Sequence, residues 1–332
     1  MEKTKKMREE VVTKRTIVIA LFALLVTAIS LTTATYAWFT SNATVSIDSL
    51  DVNVSASNGI QLSTDATTWK ASLTTVDLKG VAYTGHKNQI PSALAPVSTG
   101  GTVDLTTGYL NMYSGAVTSN VTNGYYILTS TKVTEVAGTT GSFIAFDLFI
   151  QSADPETLYL TPGADVVFKA TDVGLKNSAR VAFLNEGSVI PGSTAASAQA
   201  LKGATAATFW EPNANIHTPA GVAAALSTYS IATTTTGPAL ASYYGVNAPI
   251  TTVNDVQLNS TAVAYFKQVL PSVAPSVQRS AVPTTFTQIM TITPGVTKVR
   301  IYAWVEGQDV DCENNASGSD ISFNIKLSRT NT

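Results

Sequence analysis

Cysteine and charged residues are both scarce in this sequence. Cys312 is the one cysteine, so no disulfide can form within the chain and an ordinary hydrophobic core must stabilise it. Charged residues make up 13% of the chain, and its lysines and arginines are scattered rather than gathered in a stripe with aromatic residues between them. Proteins that hold nucleic-acid backbones carry such a basic surface, so we expect no nucleic-acid partner.

Residues typical of catalytic and metal sites are equally sparse. The two histidines, His86 and His217, have no cysteine, aspartate or second histidine at ligand spacing in the sequence. No serine occupies a Gly-x-Ser-x-Gly turn, and the acidic residues that flank Cys312 would raise the pKa of its thiol. We therefore predict that the protein is not an enzyme and binds no cofactor.

The acidic segment from Glu306 to Asn315 is a weak candidate for a metal site. Its carboxylates belong to Asp309, Asp311 and Glu313, and oxygen-rich loops of this kind can bind calcium. The spacing of a helix-loop-helix calcium loop is absent, so a solvated acidic loop without a metal ion is the alternative interpretation.

The N-terminus has the layout of an export signal. Residues 1–15 carry six Lys/Arg and three Glu, and an uncharged apolar run from Thr16 to about Leu31 follows. Small residues at Thr35 and Ala37 predict cleavage between Ala37 and Trp38, which makes residues 1–37 a signal peptide. An uncleaved membrane anchor is the alternative, because the run approaches the roughly 20 residues that cross a bilayer.

Removal of this leader from the totals of 20 Lys/Arg and 22 Asp/Glu leaves 14 basic and 19 acidic residues in a mildly acidic chain. The signal peptide predicts a secreted protein. This protein would meet the membrane only through its N-terminal segment, before the export signal peptidase cleaves it.

The rest of the chain has the composition and pattern of β-strands. Thr44 to Ser55 and Asp320 to Leu327 both alternate apolar and polar residues, and no strand-helix-strand spacing occurs. We therefore predict an all-β antiparallel sandwich over residues 38–332. Two segments rich in small and polar residues are predicted as surface loops, a long excursion over 90–123 and an insertion over about 186–261.

The first strand contains a break in its alternation. Val45 and Ile47 share one parity, whereas Leu50, Val52 and Val54 share the other, so a bulge or a bend near Ser49 would restore a single buried face. This strand could pair within its own subunit or with the next subunit, in which case the chain would polymerise by strand addition. The sequence leaves both possibilities open.

The junction after the apolar run resembles that of a known family. Residues 35–42, Thr-Tyr-Ala-Trp-Phe-Thr-Ser-Asn, are similar to the start of the mature chain in the TasA and camelysin proteins of Gram-positive bacteria, and the stretches 146–150 and 299–323 support the likeness. The resemblance implies a jelly-roll-like sandwich that is secreted and assembles into extracellular fibres of a biofilm matrix or cell surface.

Our leading hypothesis is a homopolymer, the structural subunit of a surface filament that donates its N-terminal strand to a neighbouring copy. The residues expected to fill the neighbour's groove are Val45, Ile47, Leu50, Val52 and Val54. One alternative is an adhesive or carbohydrate-binding module with Trp210, Tyr243 and Tyr244 as exposed contacts. Another is a pilin-like subunit that retains its hydrophobic helix.

Overall fold

The computed structural model describes residues 45–54, 60–80, 82–120, 125–167, 175–212, 217–229, 243–254, 256, 265–269, 286–312 and 320–329. The strands, in chain order, are β1 (Val45–Val54), β2 (Gln61–Ser63), β3 (Ser72–Leu73), β4 (Ala93–Leu94), β5 (Val103–Asp104), β6 (Tyr109–Leu110), β7 (Met112–Asn120), β8 (Tyr125–Val133), β9 (Ile144–Ser152), β10 (Glu156–Leu160), β11 (Asp165–Val167), β12 (Ala179–Val189), β13 (Ala207–Trp210), β14 (Tyr243–Val246), β15 (Phe266–Val269), β16 (Thr287–Ile292), β17 (Gly295–Val305) and β18 (Asp320–Ser328). The α-helices are α1 (Thr75–Lys79), α2 (Ala195–Gln199) and α3 (Pro219–Tyr229), and 3-10 turns span Leu175–Ser178 and Thr252–Asn254.

Seven strands form the first sheet. Its main order is β16-β10-β18-β1-β3, with β11 paired to β18 and β4 paired to β1. The alternation that predicts β18 places one set of side chains on a single face, and that apolar set, Ile321, Phe323, Ile325 and Leu327, is buried. The closing strand therefore has the buried apolar face that its sequence predicts.

Five strands form the second sheet, in the order β13-β12-β17-β9-β2. The long antiparallel ladders of β12 with β17 and of β17 with β9 make its centre. A register shift between Asn185 and Gly187 interrupts the first ladder, and Gly187 has a φ of 111°, which suits a residue without a Cβ atom.

The two sheets share one hydrophobic cluster, as in a sandwich. Both contribute apolar side chains to it, including Phe146 and Ile301 from the second sheet and Phe323 from the first. Burial of this apolar surface is the main favourable term in folding. Strands dominate the structure, helices are few and short, and the ladders are antiparallel apart from that of β1 with β18, so the all-β class is confirmed.

The other face of the second sheet is also covered. A second cluster joins Tyr302 and Trp304 of β17 to Val97, Leu110 and Met112 from the segment that we expected to be a surface excursion. That expectation was wrong for these residues, which are buried. The central strands are consequently covered on both faces, which explains why β17 shows no clean alternation of buried and exposed residues.

The segment predicted as an insertion is partly built into the sheet. Its described parts include α2, β13, α3 and β14, and β14 pairs with β15, which follows the segment. Strand β13 pairs with β12, and Phe209 stacks edge to face on Trp304 with ring centroids 6.3 Å apart. Strand β13 therefore contributes to the core, whereas Ile190, Leu226 and Val253 of the same stretch are exposed.

Candidate functional site

The N-terminal strand β1 occupies an internal position in the first sheet. It pairs in parallel with β18 over the partners Ser46–Asp320 through Val54–Leu327. On its other side it meets β3 near Val52 and β4 near Val45. In the single chain, this strand therefore pairs with strands of its own subunit, which was one of the two possibilities that the sequence left open.

The register explains the break in the sequence pattern. Ile47 is the partner of Ile321 and Ser49 is the partner of Ser322, so the ladder skips Asp48. The predicted irregularity is therefore confirmed as a shift of one residue. Beyond it, the predicted assembly residues Leu50, Val52 and Val54 follow in register with the buried residues Phe323, Ile325 and Leu327.

Strand β1 consequently covers one edge of β18 over its length from Asp320 to Leu327. The other edge of β18 is shared between β10 at Leu327 and β11 near Phe323. Without β1, the free edge would present unpaired backbone groups beside a row of apolar side chains, which is a template for another strand.

A second candidate site lies where β17 ends. The chain turns after Glu306, and the amide of Asp311 donates to Asp309 Oδ1 at 2.9 Å in a local side-chain turn. Opposite this turn, Thr218 begins α3: its hydroxyl accepts from the amide of Gly221, and Pro219 follows at the first helical position. The Thr218 amide and hydroxyl both donate to Asp311 Oδ1 at 2.8 Å.

His217 adjoins these carboxylates, and we call His217, Asp309 and Asp311 the His–Asp cluster. His217 Nδ1 lies 3.1 Å from Asp311 Oδ2 and 3.7 Å from Asp309 Oδ1. Arg180 of β12 donates to Asp309 Oδ2 at 2.7 Å, and its Nε lies 3.3 Å from Glu211 Oε1. Elements distant in sequence thus converge on one polar site.

Burial and charge set the ionisation of the cluster. Burial opposes a charged imidazole at His217, but the hydrogen bond that the imidazole donates to Asp311 and the charge of Asp309 outweigh burial and raise the pKa of that histidine. Burial raises the pKa of Glu211 to about 8, although the nearby Arg180 acts in the opposite direction. Burial and the neighbouring carboxylates also hold the pKa of Cys312 well above its usual range.

These positions correct several expectations from the sequence. Asp309 is 6% exposed and Asp311 is 1% exposed, so the described part of the acidic segment is buried rather than solvated. Trp210 is 1% exposed and is not available as a surface contact for an adhesive module. Glu313 and the predicted cleavage site at Ala37 and Trp38 lie outside the described residues, as do the side chains of Tyr243 and Tyr244.

Sequence reasoning missed His217 as a partner of the acidic segment. The histidine precedes Asp309 and Asp311 by more than 90 positions, so no local spacing connects them. The available signal is the helix-start pattern Thr218-Pro219, which places His217 immediately before a helix N-terminus, but it does not reveal the neighbouring loop.

A further polar network on the second sheet was also unforeseen. Arg300 of β17 is fully buried, donates to Asp147 Oδ1 at 2.7 Å and forms an ion pair with Glu135. Its guanidinium lies 4.3 Å from the ring centre of Tyr109, and the hydroxyl of Tyr302 donates to Glu135. Burial opposes the charged form of Asp147. The positive charge of Arg300, together with other contacts, outweighs burial and lowers the pKa of Asp147.

Comparisons with protein-family models, with curated proteins and with solved structures gave no match for this chain. Within the described residues, none of the helices has the length and apolar character that spanning a membrane requires.

Proposed function

We propose that this protein is a secreted structural subunit of an extracellular or cell-surface filament, in which β1 of one copy pairs with β18 of the next. The observation that carries the proposal is the parallel ladder between the first described strand and the last. A strand joined to its domain at one end can move to an identical slot in a second copy without threading the chain.

The exchange conserves the contacts of the ladder. The partners of β1 in β18, from Asp320 to Leu327, and those in β3 and β4 are present in the same places on a neighbouring copy. The free energy of pairing is therefore similar within one subunit and between two subunits. Protein concentration and the segment after Val54 determine which of the two arrangements forms. At roughly 3.3–3.6 Å per residue, the connection from Val54 to the buried Ile60 reaches about 20 Å, so donor and acceptor must be in direct contact.

The proposal includes the finer features suggested by the sequence. These are a jelly-roll-like order of the strands, a cleaved signal peptide over residues 1–37, and assembly as a homopolymer in a biofilm-matrix type of fibre. Cleavage after Ala37 would leave only Trp38 to Thr44 ahead of β1. The strand would then lie close to the free N-terminus of the exported chain.

Electron microscopy of the natively exported protein, combined with N-terminal sequencing, tests the proposal. We expect fibres whose subunits begin at Trp38. Fibres that retain residues 16–37 would favour the pilin-like alternative, and a protein that remains monomeric at high concentration would contradict filament formation.

A further inference from the structure

Three ligand-type atoms of the His–Asp cluster face one another. His217 Nδ1, one oxygen of Asp309 and one oxygen of Asp311 all lie within 4.8 Å of one another. A tetrahedral zinc site with ligand distances of about 2.0–2.2 Å separates neighbouring ligand atoms by about 3.3–3.6 Å. The separations of His217 Nδ1 from the two carboxylates, 3.1 and 3.7 Å, are close to that range.

Each carboxylate is oriented through its other contacts. Asp309 Oδ2 is held by Arg180, which leaves Oδ1 toward His217. Asp311 Oδ1 is held by Thr218, which leaves Oδ2 toward the same nitrogen. Supporting hydrogen bonds of this type fix ligand orientation in metal sites.

Asn177 supplies an independent observation. Its residue is 2% exposed, and its Nδ2 donates to Asp311 Oδ2 at 2.9 Å, so the amide lies against the cluster. Its Oδ1 is buried and has no hydrogen-bond partner among the described residues. A buried polar atom without a partner costs free energy. A half-turn of the amide would bring this oxygen to the position beside Asp311 Oδ2, where a cation would be its partner.

Two buried carboxyl groups meet in the cluster. Asp309 and Asp311 both face His217, and Arg180 contacts the first of them. Buried charges are normally compensated by partners or by metal ions. The side chain of His217 is 13% exposed, which gives an ion a route from solvent.

We propose that the His–Asp cluster binds a divalent transition-metal ion of the zinc type through His217 Nδ1, Asp309 and Asp311, with Asn177 as an additional oxygen ligand or outer partner. An imidazole ligand suits zinc and its neighbours rather than calcium or magnesium, which favour oxygen alone. The ion would fasten the start of α3 to the turn after β17. None of these residues belongs to β1 or β18, so the site is independent of strand exchange.

Zinc titration of the full chain, stripped with a chelator and followed by calorimetry, tests the proposal. We expect one zinc ion per chain, no binding at this site in His217→Ala, and unchanged binding in the matched control His86→Ala. Asn177→Ala should weaken binding by about tenfold, as for outer-shell partners. Equal zinc binding by His217→Ala and the unmodified chain would overturn the proposal.

A second measurement covers the case in which His217→Ala does not fold. Cobalt(II) added to the unmodified chain should give the visible absorption of a tetrahedral nitrogen and oxygen site, and zinc should displace it. Failure of the unmodified chain to take up zinc or cobalt, or uptake of calcium alone, would overturn the assignment.

Discussion

Leu50 of β1 is in register with Phe323 of β18, two positions beyond the point where the ladder skips Asp48. The skipped residue places Ile47, before it, and Leu50, after it, opposite buried apolar residues of β18. The irregular sequence of β1 is therefore matched to a regular partner strand, and this match makes the register testable.

Deletion of Asp48 should be tolerated, because the remaining residues of β1 would form a regular ladder with the same partners. We expect a free energy of unfolding within about 1 kcal/mol of the unmodified chain, as for changes that disturb no buried contact. Deletion of Asp51 should instead shift the register with β18 by one residue for all of β1 on one side of the deletion. We expect this shift to lower the free energy of unfolding by at least about 2 kcal/mol. Urea unfolding of both variants compares them, and similar losses would contradict the register.

The buried network of Arg300 should contribute strongly to stability. Arg300→Met leaves Asp147 and Glu135 as buried carboxylates without their main cation, which we expect to cost roughly 3–5 kcal/mol. Lys132→Met is the matched control, because it removes an ion pair with Asp104 that solvent screens, and it should cost far less than Arg300→Met. Denaturant unfolding measures both values, and an Arg300 variant as stable as the control would show that the network is dispensable.

Glu186 should make the protein less stable as the pH rises. Burial raises its pKa from 4.5 to about 7, partly opposed by the hydrogen bond from the Ala204 amide. The protonated form is favoured by folding, so the contribution of Glu186 is fully present below about pH 4.5 and is lost as the pH rises through about 7.

The measurement is urea unfolding at pH 5 and pH 8. Glu186→Gln should lose less stability between these two values than the unmodified chain. The neighbouring Ser188→Ala, which removes no titratable group, serves as the control and should keep the original pH dependence. An unchanged slope in Glu186→Gln would contradict the role assigned to this carboxyl group.

Local patterns were sufficient to predict the strands at the ends of the described chain. Alternation predicts β18, and the slip in β1 predicts the irregularity near Asp48, because both strands have one apolar face. The same rule is less informative for β17, since Tyr302 and Ile301 are buried on opposite faces. The covering segment that contains Met112 was therefore mistaken for a surface loop.

The candidate sites also contain some residues that local sequence suggests and others that only the packing of distant segments brings together. Asp309 and Asp311 are close in sequence and could be proposed from composition, whereas His217 joins them only through the packing of α3 against the turn after β17. The burial of Trp210 likewise depends on the pairing of β13 with β12. Contacts between distant segments carry no local signature in a single sequence.

Disulfide cross-linking between copies tests strand exchange most directly. Asn53 and Lys326 are register partners, so cysteines at these positions fall within the separation that a disulfide spans. Two chains would be prepared in a Cys312→Ser background, one with Asn53→Cys and the other with Lys326→Cys, then mixed under assembly conditions and oxidised. The control replaces Lys326→Cys by Asn324→Cys, two residues out of register.

We expect a disulfide-linked pair of the two different chains in the registered mixture and little of it in the control. If the registered mixture gives no such pair while one chain with both cysteines closes an internal disulfide, β1 pairs only at home and donation of this strand to a neighbour is contradicted.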